Sequence, residues 1–455
     1  MGGLTEHRGT RWILTATAVA LFCVQIDYFA VNLALPRIAA DLNSSITDMQ
    51  WVVSIYMLTL GAFMVPAGRV ADIFGRRRVL LSGIALFAVA SVLCAVAPTA
   101  AALVGSRALQ GIGAAMIFPV SVSVLTNAYP AERSSRAIGV AYGIAGLGNA
   151  AGPLVGGVLT ETVGWRAVFW LLVPLTVISL LIGARAIPET FDESAPRRID
   201  VGGLALIITG IGLFTLVFDR APTWGWLSAT TLAVGVASVG LLAAFVIVER
   251  RTRHPLVDVR LFANPGFAVL VIAGTVANVA YVVTVFLSTL NLQELRGLDP
   301  LTAGLVFLGP SVGAAAGGTL SGRLPSRLSP VTVMGAGCVV AAISLAALSL
   351  STSWPLYVMA LTACGFTMGF VYAYTTVATQ AVVDPARAGE AAGVTLTSLV
   401  TLAGCGVAIS GTVLEMLQRA GTQTGDAVNA IFGVVALALL VSGLGVLRRV
   451  RHGSR

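Results

Sequence analysis

Lysine is missing from this chain: all 28 basic residues are arginine. A phosphate-binding P-loop needs its lysine, so an ATP motor of that kind is excluded. A lysine Schiff-base cofactor is excluded with it. Charge of either sign is scarce, at 11% of residues. The three histidines, His7, His254 and His452, each sit in a charged, interfacial segment. The five cysteines, Cys23, Cys94, Cys338, Cys364 and Cys405, lie within apolar runs and show no metal-ligand spacing. They read as small buried hydrophobes. The residues provide for no zinc, haem or other cofactor, and no nucleophile–base pair marks an enzyme.

What is present is apolar. Fifty-seven per cent of 455 residues are hydrophobic and the mean hydropathy is +0.91. A soluble domain carries roughly 45–50% apolar and about 25% charged residues. The excess cannot be hidden in one core, so the chain is an integral membrane protein. A soluble enzyme, a secreted disulfide scaffold and a single-anchor receptor are ruled out. The runs are too long and too unalternating for a β-barrel. The first run, from Trp12, continues past signal-peptide length, so no cleavable leader is expected.

At about 20 residues per span, hydropathy with Gly, Pro and Arg punctuation predicts fourteen helices. They cover 11–35, 46–67, 78–97, 100–124, 137–160, 165–186, 200–218, 227–248, 266–291, 301–321, 328–350, 354–380, 388–416 and 428–447. Arginine sets the orientation, because cytoplasmic loops carry the positive excess. With the N-terminus inside, only Arg37, Arg166, Arg220, Arg296 and Arg419 fall outside, and Arg107 lies within a span. Both termini are therefore expected in the cytoplasm. The net charge of +8 reflects this topology and not nucleic-acid binding.

The longest polar stretches, 187–199 and 249–265, bracket two helices poor in polar residues. The expected architecture is all-α and polytopic. A six-helix bundle (1–186) is followed by two extra helices with flanking linkers (187–265), then a second six-helix bundle with a short basic tail (266–455). A weak repeat agrees: GRVADIFGRRRVLL from Gly68 and GRLPSRLSPVTVM from Gly322 each follow the second helix of a half. Parallel halves around a central site are a transporter design.

Asp27 lies in LFCVQIDYFAVNLALP, roughly 6 Å outward of its helix centre. An acid at that depth costs about 3 kcal/mol on insertion scales, and such residues favour functional roles. Arg107 is expected at the same depth on helix 4, so the two are candidates for a buried pair that carries a proton. A static ion pair is the alternative. On helix 5, Gly148, Gly152 and Gly156 recur every fourth residue as a bare stripe for close helix approach, beside Pro153 and Gly157. Gly68, Asp72, Gly75 and Arg76 occupy the stretch after helix 2, read as a cytoplasmic gating loop. Gln25, Tyr28, Tyr56, Gln110, Tyr142, Tyr281 and Tyr374 are candidates for lining a cavity for flat amphipathic substrates, with Phe29, Phe118 and Phe370. Glu294 and Glu415, near helix ends, are reserve candidates for proton coupling.

These segments resemble the major facilitator superfamily, specifically its fourteen-span drug:proton antiporters. GRVADIFGRRR is similar to the family's loop signature after helix 2. LVGSRALQGIGAA resembles its helix 4 signature, GLGNAAGPLVGG its helix 5 antiporter signature, and IDYFAVNLALP its helix 1 signature. ERRTRHPLVDVRLF, from Glu249, resembles the segment after the extra helices. The resemblance covers nearly the whole chain. It implies two bundles rocking about a central cavity, with Asp27 as protonatable acid and Arg107 as partner. It implies that the Gly-Pro motif shapes the cavity and that Asp72 latches near the start of helix 13, around Ala388. The implied partners are protons, a small-molecule substrate and the lipid bilayer, in a protein working as a monomer in the cytoplasmic membrane. The implied function is export of amphipathic drugs, antibiotics or a secondary metabolite. The alternatives are a dedicated single-metabolite exporter and an uptake carrier on the same fold. The chain departs from the family pattern at Phe29, Ala167, Leu172–Val173 and Val400–Leu402, positions that bear on substrate range.

Overall fold

A computed structural model describes residues 2–44, 46–192, 200–252, 255, 259–298, 300–324 and 328–453. Fourteen α-helices and no strand occur among the described residues. They are α1 (Gly2–Asp41), α2 (Ile46–Phe74), α3 (Arg76–Ala95), α4 (Ala100–Ala128), α5 (Ala131–Thr162), α6 (Arg166–Ala186), α7 (Val201–Trp224) and α8 (Ala229–Arg251), then α9 (Pro265–Leu290), α10 (Pro300–Ser321), α11 (Pro330–Ser349), α12 (Trp354–Gln380), α13 (Ala388–Arg419) and α14 (Thr424–Gly453). Thirteen are long and apolar enough to cross a membrane, and α5, bent by 42° between Arg133–Asn149 and Leu154–Thr162, makes a fourteenth. The chain is a multi-pass membrane protein.

Several helices run past their expected ends, because hydropathy falls where polar residues begin while the backbone ladder continues. Helix α2 extends to Phe74, seven residues beyond the expected 67, so Gly68 and Asp72 are helical. The expected loop shrinks to one residue, Gly75, whose φ of 120° reverses the chain before α3. Helix α7 runs on to Trp224, six residues past the expected 218. Asp200 caps its first turn and Ser228 caps that of α8.

Helices α1–α6 pack chiefly on one another: α1 on α5 and α6, α3 on α4 and α6, α2 on α4. Helices α9–α14 repeat the pattern, with α10 on α12, α11 on α14 and α12, and α9 on α13. The two sets meet where α5 packs on α10 and α2 on α13, so the second helix of each set faces the fifth of the other. The weak repeat becomes legible here. Gly68 on α2 abuts the backbone of Gly389 on α13, and Gly322 after α10 abuts Ser135 and Arg136 on α5. Without lipid-excluded water to drive association, such bare contacts are how membrane helices approach. Helix α7, with α8 packed on it, lies against α2 and α13 at once.

The glycine stripe of α5 faces α1. A Cβ on Gly148 would meet the Phe22 carbonyl at 2.8 Å, and one on Gly152 would meet Phe29 Cβ at 2.6 Å. A Cβ on Gly156 would meet the Ala30 carbonyl at 2.6 Å. Gly157 is half-buried beside the stripe, and the side chain of Pro153 lies outside the described residues. At the end where α1 terminates, Arg166 and Trp165 both donate to Asp41. The Arg166 bond, then that of Trp165, holds the Asp41 carboxyl below its usual range.

The stripe sets a prediction. Gly156→Val should destabilise the protein by about 1–3 kcal/mol through overpacking against α1. Gly105→Ala, where a Cβ meets nothing within 4 Å, should leave stability unchanged. Thermal unfolding in detergent measures both, and equal midpoints for the two variants would refute the seam.

Candidate functional site: a buried ion pair beside a central cavity

Asp27 on α1 and Arg107 on α4 are both fully buried, and Arg107 Nη1 lies 2.6 Å from Asp27 Oδ2. The pair sits in a shell of polar groups. Arg107 Nε donates to the Val52 carbonyl at 2.9 Å and Nη1 to Gln110 Oε1 at 2.7 Å. Gln110 Nε2 donates to Ser91 Oγ at 2.9 Å and reaches Asp27 Oδ1 at 3.4 Å. The guanidinium lies 4.1 Å from the Tyr56 ring centroid, a cation–π contact. Four helices thus surround two charges that would be very costly alone, leaving Arg107 Nη2 without a hydrogen-bond partner. Removing one partner leaves the other charged and unpaired.

The cavity lies beside the pair and encloses about 350 Å³. Gln25, Tyr28 and Phe29 line it from one face of α1, at i, i+3 and i+4, while Asp27 points away toward α4. Tyr56, Phe118 and Tyr281 also line it. Four predicted lining residues, Gln110, Tyr142, Phe370 and Tyr374, do not. Gln110 turns into the Asp27 shell. Tyr142 is on the face of Asn149 but two turns away, packed on Tyr372 with ring centroids 5.7 Å apart. Tyr374 is rotated off the lining face of Tyr372 and stacks on Phe370. The reserve acid Glu415 is exposed and paired with Arg419, and the side chain of Glu294 lies outside the described residues.

Sequence reasoning missed Tyr372, Asn149, Asn278 and all of α7. Thr215, Phe218, Asp219 and Pro222 of α7 line the cavity, so Asp27 is not alone as an acid within a span. Ending helix 7 at 218 placed Asp219 and Arg220 in an outer loop. The amphipathic signal of an Asp-Arg pair in an apolar run was the available clue. Ser54 donates to Asp219 Oδ1 at 2.8 Å, and Arg220 Nε is 3.0 Å from Oδ2.

One end of the bundle is shut across the two helix sets. Asp72 accepts from the Gly389 and Glu390 amides, at 3.2 and 2.9 Å, and so caps α13. Arg76, buried like Asp72, is paired with it at 2.7 Å and donates to the Ala386 carbonyl at 2.8 Å. The Gly68–Gly389 and Gly139–Gly322 contacts close the same end. The chain after α6 clips onto this turn: Arg76 N donates to the Thr190 carbonyl, Asp192 N to the Asp72 carbonyl and Arg77 N to Glu189.

The profile of the Major Facilitator Superfamily matches residues 17–405 and, again, 269–455. The multidrug resistance protein Stp of Mycobacterium tuberculosis is 33% identical over 407 residues, 88% of this chain and 75% of its own. The multidrug efflux pump LfrA of Mycolicibacterium smegmatis is 32% identical over 95% of this chain and 89% of its own. The methylenomycin A resistance protein of Streptomyces coelicolor is 30% identical over 97% and 93%. The solved structure of the human organic anion transporter TETRAN superposes with a TM-score of 0.70 at 14% identity, covering 97% of this chain and 99% of its own, a likeness of fold.

The ion pair sets the second prediction. Asp27→Ala and Arg107→Ala should each cost about 3–5 kcal/mol of stability by stranding a buried charge. The double variant should cost less than the sum, by roughly 1–3 kcal/mol. Denaturation midpoints of the four proteins measure the coupling, and strict additivity would show that the two charges do not interact.

Proposed function

Since the chain belongs to the Major Facilitator Superfamily, we propose that it exports amphipathic drugs, antibiotics or a secondary metabolite in exchange for protons. The relatives' names support the substrate class. The observation that carries the reading is a desolvated carboxylate held one helix face away from an aromatic-lined cavity.

The proposed mechanism uses groups already in place. With Asp27 ionised, the pair locks α1 to α4. Protonation removes the negative charge, and Arg107 keeps the Val52 carbonyl, Gln110 and the Tyr56 face. Both protonation states therefore find partners. Gln25, Tyr28 and Phe29 share α1 with Asp27, so a shift of α1 on protonation moves the cavity wall. Substrate and proton compete through one helix. No cofactor is invoked; the proton gradient drives the cycle.

The two six-helix sets, 1–186 and 266–455, move as bodies about the cavity, and the 187–265 hairpin travels beside them. The arginine-rich end, with both termini, faces the cytoplasm, and the protein works as a monomer in the cytoplasmic membrane. In this orientation the Asp72–Arg76–α13 contacts seal the cytoplasmic side.

The test is proton release from energised inverted vesicles on adding a panel of antibiotics and dyes. The wild type should collapse the gradient in a substrate-dependent manner, and Asp27→Asn should lose the response at equal expression. A full response from Asp27→Asn would move proton coupling away from this site.

A further inference from the structure

Resting on the export reading above, we infer that Asp219, on the first of the two extra helices, recognises the positive charge of cationic aromatic substrates. Asp219 is the one acidic residue that lines the central cavity among the described residues. Asp27 cannot serve a ligand there in this state, being fully buried and engaged by Arg107. The side chain of Asp219 is 31% exposed, so it meets the cavity without being fully solvated.

Its two existing partners leave it room. An ionised carboxylate offers about four lone-pair sites. Ser54 occupies one at 2.8 Å, and Arg220 Nε lies 3.0 Å from the other oxygen as an ion pair without a hydrogen bond. Arg220 is held to the side: its guanidinium lies 3.8 Å from the Trp51 ring centroid, it is 5% exposed, and it does not line the cavity. The arginine therefore pairs with the carboxylate without occupying the ligand space. Around that space stand Tyr28, Phe29, Phe218 and Tyr281, whose ring faces favour a cation and a flat aromatic body together. An apolar wall with one placed charge is the usual design of a small-molecule site. On this account the hairpin is part of the recognition site and not an appendage to it.

The test uses the full chain in lipid nanodiscs and two fluorescent probes, ethidium as the monovalent aromatic cation and N-phenyl-1-naphthylamine as the neutral one. Asp219→Asn should weaken ethidium binding on the order of tenfold or more and leave the neutral probe unchanged. Asp219→Glu should recover most of the ethidium affinity. Trp226→Phe cuts the hairpin's bond to Thr412 but spares the carboxylate, and should bind ethidium like the wild type. Equal weakening of both probes in Asp219→Asn would show a structural role and overturn the inference. Unchanged ethidium binding would overturn it as well. Binding of neither probe by the wild type would also refute it, and the export reading would then stand or fall on the vesicle assay alone.

Discussion

Two opposite charges taken wholly out of water need more than each other, and the surroundings of Asp27 and Arg107 come from several helices. Helix α1 brings the acid, α4 the guanidinium and Gln110, α2 the Val52 carbonyl and the Tyr56 ring, and α3 Ser91. The pair therefore fixes the relative rotation of the first helices. Any other register would leave a charge or a carbonyl unsatisfied in a low-dielectric interior, at a cost that packing alone could not offset. The aromatic face of α1 is turned to the cavity because the acid has to be turned away from it.

The remaining constraint is proximity. Within the first set, the α5 stripe lets the backbones of α5 and α1 touch. Between the sets, Gly68 and Gly389 on one side and Gly322 and Gly139 on the other let backbones touch. Such contacts suit surfaces that must part and meet again. The charged latch of Asp72 and Arg76 on the start of α13 adds direction to the same seam.

Much of this was legible from residue order. Span number, the two helix sets and the depth match of Asp27 with Arg107 followed from hydropathy and rise per residue, because lipid makes those rules strict. The Asp72 latch followed only from resemblance, since a contact spanning more than 300 positions leaves no local trace. Helix ends were the weak point, for a physical reason. Gly68 and Asp72 were read as loop because polarity marks the edge of the apolar layer, whereas the helix stops only at Gly75, where φ reverses. The same confusion hid Asp219. Cavity lining was half legible: Tyr142 and Tyr374 are aromatic residues within spans, as are Tyr28 and Tyr281, and only the helix rotation set by packing separates them.

The two-helix hairpin and its linkers are tied to both sets. On the side of the first set, the chain after α6 clips to the α2–α3 turn and Asp219 is bonded to Ser54 of α2. Toward the second set, Trp226 is bonded to Thr412 of α13, Asn264 donates to the Val382 carbonyl after α12, and α7 packs on α13. On the proposed cycle the hairpin is a strap across the seam: the Asp219–Ser54 bond makes that stretch of cavity wall follow α2, and the Trp226–Thr412 bond has to give.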